Sequence, residues 1–519
     1  MIIRWSPMSA SRLAASYMIA AFILGFGGFT AAFIRITGSV QQLALIPTSS
    51  VDDRIYNILI TQPSICIQNL TSTLAEGGCR IQLLWTVSAY AGKFFGLQMP
   101  GALAILLRIT LISLIGLALY FFNRLWCQQT HINPDVSMMW IGALIVAMPV
   151  PLLFLGLGHE LVDASLILAA LASPPNLFSI LMSIVCAGGL FIYHNNPAAW
   201  SWIGILAGIW AWVHPYYIYF WLTLACVWII QMRQLSKANI SSAALLIVPT
   251  LVAGGYYAWL AQSNHFFQYH LAHNITNYSS GTVIPLIIGI ILSLVLAVLI
   301  LYKDGIEWRD AVNTLGPFLI SWLAVSGAWA VIPMPTVRRA SLVVLVPLCL
   351  AVARLAALPN TRLFRRYITT IIILNMIVLT LTSYVAQSPY LASDLRARVV
   401  TPADREFATY LSSRPQDNYI GSPRAVIRFP WLSRTRMLNV QIPESPDYTS
   451  WNKVLASLSA QSSPCNSLLL QLRQGRVAGI ILDTATHQRE IAAAKSCGFI
   501  PAYSNSDWMV MSPFKINPA

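Results

Sequence analysis

The sequence predicts a mainly α-helical polytopic membrane protein, with about 11 transmembrane helices followed by a small C-terminal α/β soluble domain. Three observations carry this. Of 519 residues, 57% are hydrophobic and only 10% charged, far below the roughly one quarter charged that is usual in soluble domains. Up to about residue 386 the chain is a succession of apolar runs, each near the roughly 20 residues that cross a hydrocarbon core of about 30 Å at about 1.5 Å per residue. From about residue 387 the runs stop and charged residues become frequent.

In order, the predicted spans run at about 14–36, 101–122, 136–157, 176–193, 199–214, 216–232, 242–261, 282–302, 313–332, 340–357 and 367–386. His194-Asn195-Asn196-Pro197 and His214-Pro215 are the breaks that separate the fourth, fifth and sixth, because proline interrupts helical hydrogen bonding. The first run is too long, and too deeply set in a multi-span pattern, for a cleaved signal peptide.

The net charge of +14 does not indicate nucleic acid, since the basic residues are scattered at the ends of apolar runs instead of forming one face or tail. With the N-terminus inside, the inner flanks hold eleven Lys and Arg, from Arg4 and Arg12 to Arg362, Arg365 and Arg366. The outer flanks hold six: Arg35, Arg54, Arg80, Lys93, Arg338 and Arg339. The positive-inside tendency therefore sets a cytoplasmic N-terminus. An odd number of spans then leaves the tail outside, which divides the chain into a transmembrane domain over 1–386, with a first outer loop at about 37–100, and an α/β domain over 387–519.

Cysteine placement agrees with this topology. Cys66 and Cys79 share the first outer loop and Cys465 and Cys497 share the tail, whereas the other four fall in spans or on the inner side. Two outer pairs are what an oxidising compartment allows as disulfides. In the first loop, "RIQLLWTVSAYAGKFFG" has the pattern of an interfacial helix with Arg80 and Lys93 on its polar face. In the tail, Thr401 as N-cap, Pro402 at the first helical position and Asp404 at the capping-box position start a helix. "VAGIIL" reads as a buried strand, "DTATHQREIAAAKSCG" as a helix closed by Gly498, and "DWMVMSP" as a last strand. A small outer domain favours a bacterial inner membrane, while the sequons at Asn69, Asn274 and Asn277 would serve a secretory lumen.

The chemistry is narrowed by how few acids precede residue 387. Of nine carboxylates, Asp135, Asp304, Glu307 and Asp310 belong to inner loops, leaving Asp52, Asp53, Glu76, Glu160 and Asp163 outside. Asp52 and Asp53 sit just beyond the first span. In "GLGHELVDASLILAALAS", helical spacing puts His159, Glu160 and Asp163 on one face. The apolar run behind them is too short to span, so it is either a half-inserted helix lining a cavity or a solvated loop between helices. Ionisable groups at that depth are costly and functional by default. Arg338 and Arg339 stand at the outer mouth of the tenth span, placed either to bind phosphate oxygens or to reach lipid head groups. Arg108 lies about two turns inside the second span and needs an acidic partner, Asp53 or Asp163. His214, with Tyr216 and Tyr217, occupies an outer tip, the histidine as a candidate substrate-binding residue and the tyrosines as an interfacial anchoring belt, and His270 and His273 have a weak metal-like spacing.

A first outer loop opening on two aspartates, a second acidic site at Glu160–Asp163, a late outer arginine pair and a soluble outer domain together resemble the GT-C superfamily of polytopic glycosyltransferases. The resemblance covers 1–386 in layout, and 1–519 if the tail is included. It implies transfer of a sugar from a polyprenyl- or dolichyl-phosphate donor to a glycan, lipid or protein acceptor on the non-cytoplasmic side. Asp52 or Asp53 would be the base of an inverting displacement, and Arg338 and Arg339 would hold the phosphate. His159, Glu160 and Asp163 would bind acceptor hydroxyls or a divalent cation. The alternative is a transporter or flippase of a lipid-linked saccharide or other solute, which would show related halves with broken helices at mid-membrane; no such repeat is evident.

Overall fold

The computed structural model describes residues 83–96, 100–130, 174–232, 237–264, 295–331, 337–358, 360–368, 400–415, 417–439, 448–460 and 465–513, together with positions 268 and 370. Contacts divide the chain into two compact units. Described residues of 106–258 and 275–391 belong to the first, and those of 33–105, 259–274 and 392–519 to the second.

Helix α1 (Leu83–Phe94) buries Leu84, Trp85, Ser88, Ala89 and Gly92 on one side, the three- and four-residue spacing of an amphipathic helix. Its other side carries exposed Val87, Tyr90 and Phe94 as well as Lys93, so this face is more apolar than the sequence pattern suggested. Helix α2 (Pro100–Thr130) enters the first unit and contributes Leu111, Ile115, Phe122 and Trp126 to its core.

The first unit is otherwise built from long apolar helices. Helix α3 (Pro174–Met182) continues through a π-helical turn, Ser183–Gly188, into Gly189–Ile192. Helix α4 (Pro197–Val213) starts where the Asn-Pro break predicts: Asn196 caps it by accepting from the Ala198 N–H, and Pro197 takes the first position. His214 and a 3₁₀ turn, Pro215–Tyr217, lead into α5 (Ile218–Met232). Helix α6 (Lys237–Ser263), a helical stretch over 295–303, α7 (Trp308–Val331) and α8 (Val337–Ala356) follow.

Among the described residues, three helices are long and apolar enough to cross a membrane: Pro215–Met232, Ile240–Ser263 and Trp308–Ala328. These coincide with the predicted segments at 216–232, 242–261 and 313–332; the expected total of about 11 takes in segments outside the described residues. The fourth and fifth predicted segments are helical at nearly the expected bounds, α3 running through its π-turn to Ile192 and α4 ending at Val213, before the predicted break at His214. The predicted segments at 14–36 and 136–157, and most of 282–302 and 367–386, lie outside the described residues.

Two kinds of contact hold this unit together. Gly204 and Gly208, one turn apart in "GILAG", let α6 lie directly on α4: a Cβ at Gly204 would fall 2.1 Å from the Leu245 carbonyl oxygen, and one at Gly208 2.6 Å from Pro249. Without a hydrophobic drive between helices in lipid, such close backbone approach supplies the packing. Gly204→Val is therefore expected to separate α4 from α6 and to lower the melting temperature of the purified full-length protein, whereas Ala199→Gly, at a half-buried position in the same helix, leaves it within a few degrees. The second contact is a set of buried indoles, Trp200, Trp210, Trp221, Trp228 and Trp322. Trp221 donates to the Leu246 carbonyl at 3.1 Å, and Trp228 to the Ser321 hydroxyl at 2.8 Å, while Ser321 donates to Gln231. Such rings bring large apolar area into a core while their N–H groups fix the register of neighbouring helices.

In the second unit the tail forms an α/β domain. Helix α9 (Pro402–Ser412) has the capping box expected from its sequence: the Asp404 N–H donates to the Thr401 hydroxyl, and the Thr401 N–H to the Asp404 carboxylate. Strand β1 (Asn418–Gly421), α10 (Pro423–Leu432), β2 (Arg436–Met437), α11 (Tyr448–Ala460), α12 (Cys465–Gln474), β3 (Val477–Asp483), α13 (Gln488–Ser496), β4 (Ile500–Ser504) and β5 (Trp508–Ser512) follow. The sheet order is β2-β1-β3-β5-β4, parallel among the first three strands and antiparallel at β3–β5 and β5–β4. Alternation along β3 sends Ile480 and Leu482 into one core with Leu458, Leu472 and Ala494 of α11–α13. The opposite face packs aromatic residues, Phe407 of α9 and Phe429 of α10 against Trp508. Cys465 and Cys497, at the start of α12 and the end of α13, form a disulfide.

Beneath the aromatic face lies a charge pair with almost no solvent. Arg428 donates to the Asp404 carboxylate at 3.1 Å, and the Trp508 indole donates to the same oxygen at 2.7 Å. Burial pulls the Arg428 guanidinium down to about 10, opposed by the Asp404 charge, so it stays protonated at neutral pH. Removing one partner of such a pair costs about 3–5 kcal/mol because the other charge is left buried, while replacing both by apolar groups can be neutral. Asp404→Ala should accordingly abolish the slow hydrogen exchange of β3 and β5 in the full-length protein, and adding Arg428→Met should restore most of it. Nearby, burial raises the Asp483 carboxyl, but the Arg424 guanidinium at 2.5 Å and the N–H groups of Thr486 and Ala485 outweigh it and hold the group below its ordinary value.

Candidate functional site

Of the residues singled out for chemistry, the described part of the chain places four: Arg108, His214, Arg338 and Arg339. Asp52, Asp53, His159, Glu160 and Asp163 lie outside it, as do Cys66 and Cys79. Among the described residues no three His, Cys, Asp or Glu side chains come together in a metal-holding group.

Arg338 and Arg339 are the second and third residues of α8, three residues further into the helix than the segment boundary at 340 suggested. That position has an electrostatic consequence. The first turn of a helix presents unpaired N–H groups and the positive end of the macrodipole, where a cation is disfavoured by about 0.3–1 kcal/mol. Two adjacent arginines thus fall in the first turn of α8. Arg108 stands eight residues beyond the start of α2, about 12 Å along its axis.

His214 does mark the tip between α4 and α5, but it is only 2% exposed. Its Nδ1 lies 2.7 Å from the Ser179 hydroxyl. That hydroxyl has one hydrogen to share between the Pro175 carbonyl at 3.0 Å and Nδ1, and it accepts from the Trp210 indole. The ring edges also meet Tyr216 and Tyr217. In this setting the histidine fastens the start of α3 to the end of α4, with Tyr217 buried beside it and not spread along an interface.

Several polar contacts in the first unit were not foreseen from residue patterns. Gly316 leaves the helical conformation inside α7 at φ 73°, next to Pro317, and Arg354 of α8 donates to the Leu315 carbonyl at 3.0 Å while stacking over Trp126. The Gly-Pro pair was the available signal, because proline cannot donate within a helix. Asp304, read as an inner-loop acid, accepts the backbone N–H groups of Leu363 and Phe364 at 3.0 and 2.8 Å and so caps the short helix over 362–368. Only contacts across some sixty residues make that role visible.

No family model and no curated protein matches the chain. Solved structures do. The crystal structure of ArnT from Cupriavidus metallidurans bound to undecaprenyl phosphate is 12% identical, with a TM-score of 0.51 over 97% of this chain and 99% of that one. The same protein in the apo state gives 0.48 at 12% identity, over 94% and 98%. The Archaeoglobus fulgidus oligosaccharyltransferase in the apo form gives 0.47 at 10% identity, over 98% of this chain and 74% of that one. The first of these extends along nearly the whole of both chains and shows a shared fold.

Proposed function

Proceeding from the GT-C fold of this chain, we propose that it is a membrane glycosyltransferase that takes a sugar from a polyprenyl-phosphate donor and passes it to an acceptor on the non-cytoplasmic side. The observation that carries the reading is the likeness over 97% of the chain to a structure that holds undecaprenyl phosphate. The arginine pair at the positive end of α8 supports it from this chain's own residues.

The reaction is a single displacement. An acceptor hydroxyl attacks the anomeric carbon, the bond from that carbon to the phosphate oxygen breaks, and the polyprenyl phosphate leaves with the electron pair. Asp52 or Asp53 takes the hydroxyl proton; adjacent residues in extended backbone point opposite ways, so one of the two does this. Arg338 and Arg339 stabilise the charge that builds on the phosphate, which lowers the barrier more than protonating an already good leaving group would. His159, Glu160 and Asp163 bind acceptor hydroxyls or a divalent cation, and Arg108 holds one of the acids in place. A bacterial inner membrane, with the tail on the periplasmic face, is the setting that fits a small disulfide-bonded outer domain.

A direct test uses the purified full-length protein in proteoliposomes with a radiolabelled undecaprenyl-phosphate sugar and a crude envelope extract as acceptor. Transfer of label to the extract, with release of undecaprenyl phosphate, is the expected result. Unchanged donor under conditions where the protein is folded rejects the reading, and movement of intact donor across the bilayer would identify a flippase instead.

A further inference from the structure

We propose that the first unit carries a second phosphate-recognising site, separate from the sugar-transfer chemistry, which binds the phosphodiester headgroup of an anionic phospholipid at the inner face of the membrane. The site is a cavity of about 770 Å³ lined by Asn360, Thr361, Arg362, Arg365, Arg366 and Thr370.

The chain builds it at the junction after α8. Asn360 turns with φ 67°, and Thr361 begins the helix over 362–368, its hydroxyl donating back to the Leu358 carbonyl at 2.8 Å. Positions 362, 365 and 366 then share one face, as does 370. Arg365 is fixed in place: its guanidinium donates to the last carbonyls of the preceding helix, Ala356 at 2.7 Å and Leu358 at 2.9 Å. Arg362 and Arg366 are exposed, and no ion pair joins either to a carboxylate among the described residues. The backbone N–H groups at the start of this helix are already used, since the Asp304 oxygens accept from Leu363 and Phe364. A ligand in this cavity is therefore held by side chains: the guanidiniums of Arg362 and Arg366, with the fixed charge of Arg365 beside them, for the phosphate, and the amide of Asn360 and the oxygen of Thr370, whose hydrogen goes to the Arg366 carbonyl, for a hydroxylated headgroup.

Three like charges on one helical face repel one another, and a bound anion removes that cost. The surroundings specify a lipid. Apolar α8 ends directly before the cavity, and exposed Leu363 and half-buried Tyr367 flank the arginines, which suits a segment lying at a membrane surface. Arg362, Arg365 and Arg366 are also the densest group of inner-flank cations in the sequence, and clusters of this kind next to a membrane helix attract anionic headgroups.

Native mass spectrometry of the full-length protein tests this, with phosphatidylglycerol and phosphatidylcholine as added lipids and glycerol 3-phosphate as a soluble competitor. Saturable binding of phosphatidylglycerol but not phosphatidylcholine is expected, undisturbed by an equal concentration of glycerol 3-phosphate. Arg362→Ala/Arg366→Ala should weaken it about 30-fold, a factor of about five for each cation, and Arg362→Lys/Arg366→Lys should retain most of it. Equal binding of the two lipids, full binding by the alanine pair, or displacement by glycerol 3-phosphate would overturn the proposal, the last by identifying a soluble phosphate ligand. A fluorescence titration of the unaltered protein with phosphatidylglycerol stands in if the alanine pair does not fold: affinity should fall as salt rises, and affinity independent of salt would equally overturn it. None of these readouts measures sugar transfer, so failure here leaves that reading intact, and failure there leaves this one.

Discussion

Substituting asparagine for the aspartate that serves as base is expected to slow sugar transfer by about 10²–10⁴-fold, the usual contribution of a positioned proton acceptor. Under the proposed mechanism Asp52→Asn and Asp53→Asn should differ sharply, since adjacent side chains in extended backbone would point opposite ways and only one would serve as base. Asparagine matches aspartate in shape while removing the basic carboxylate oxygen that would take the proton. Loss of turnover should therefore come with little change in the KM for the lipid donor, because the proton is transferred only as the acceptor attacks. Similar, near-native rates for both variants in the proteoliposome assay would remove the pair from the chemistry.

Arg338→Ala and Arg339→Ala have the second-largest expected effect. Taking away one preorganised donor to a developing negative charge typically costs about 10²–10³-fold in turnover, and the phosphate on the leaving lipid gains its charge as the sugar departs. Lysine at either position should recover part of the rate through charge alone, but not all, because it lacks the paired donors of a guanidinium. The start of α8 should be more stable without the arginines than with them, since a cation in the first helical turn opposes the macrodipole. A variant that loses activity while its melting temperature holds or rises would thus separate phosphate binding from folding. Equal turnover with and without the two guanidiniums would discard their role.

How far the sequence revealed the molecule depended on the range of the contacts involved. Local rules sufficed for the Thr401–Asp404 capping box, for α4 beginning at Pro197, and for β3, α13 and β5 of the tail. Each has its start or stop signal within a few residues. Strands β1 and β2 escaped notice because they have only four and two residues, too few for alternation to register. The sheet order β2-β1-β3-β5-β4 depends on crossovers that no short window contains. Hydropathy identified the apolar runs, and the proline after His214 marked the end of α4, but the π-turn inside α3 leaves no mark in an apolar pattern.

The site divides along the same line. Residue type was enough to select His214, yet its burial against Ser179 joins positions 35 apart in sequence, and the histidine proved to be held inside the protein. The arginine pair was selected from charge alone, and what the fold adds is its place in the first turn of α8. The close approach of α4 and α6 through Gly204 and Gly208 was written in "GILAG" as two small residues four apart, a signal that gains meaning only once the partner helix is known.

A structure of the full-length protein determined with undecaprenyl phosphate bound goes most directly to the central claim. The phosphate should lie within hydrogen-bonding distance of Arg338 or Arg339, with the Asp52 or Asp53 carboxylate across the same outward-facing cavity. A phosphate bound away from both arginines, or the aspartates opening to the other side of the membrane, would contradict it.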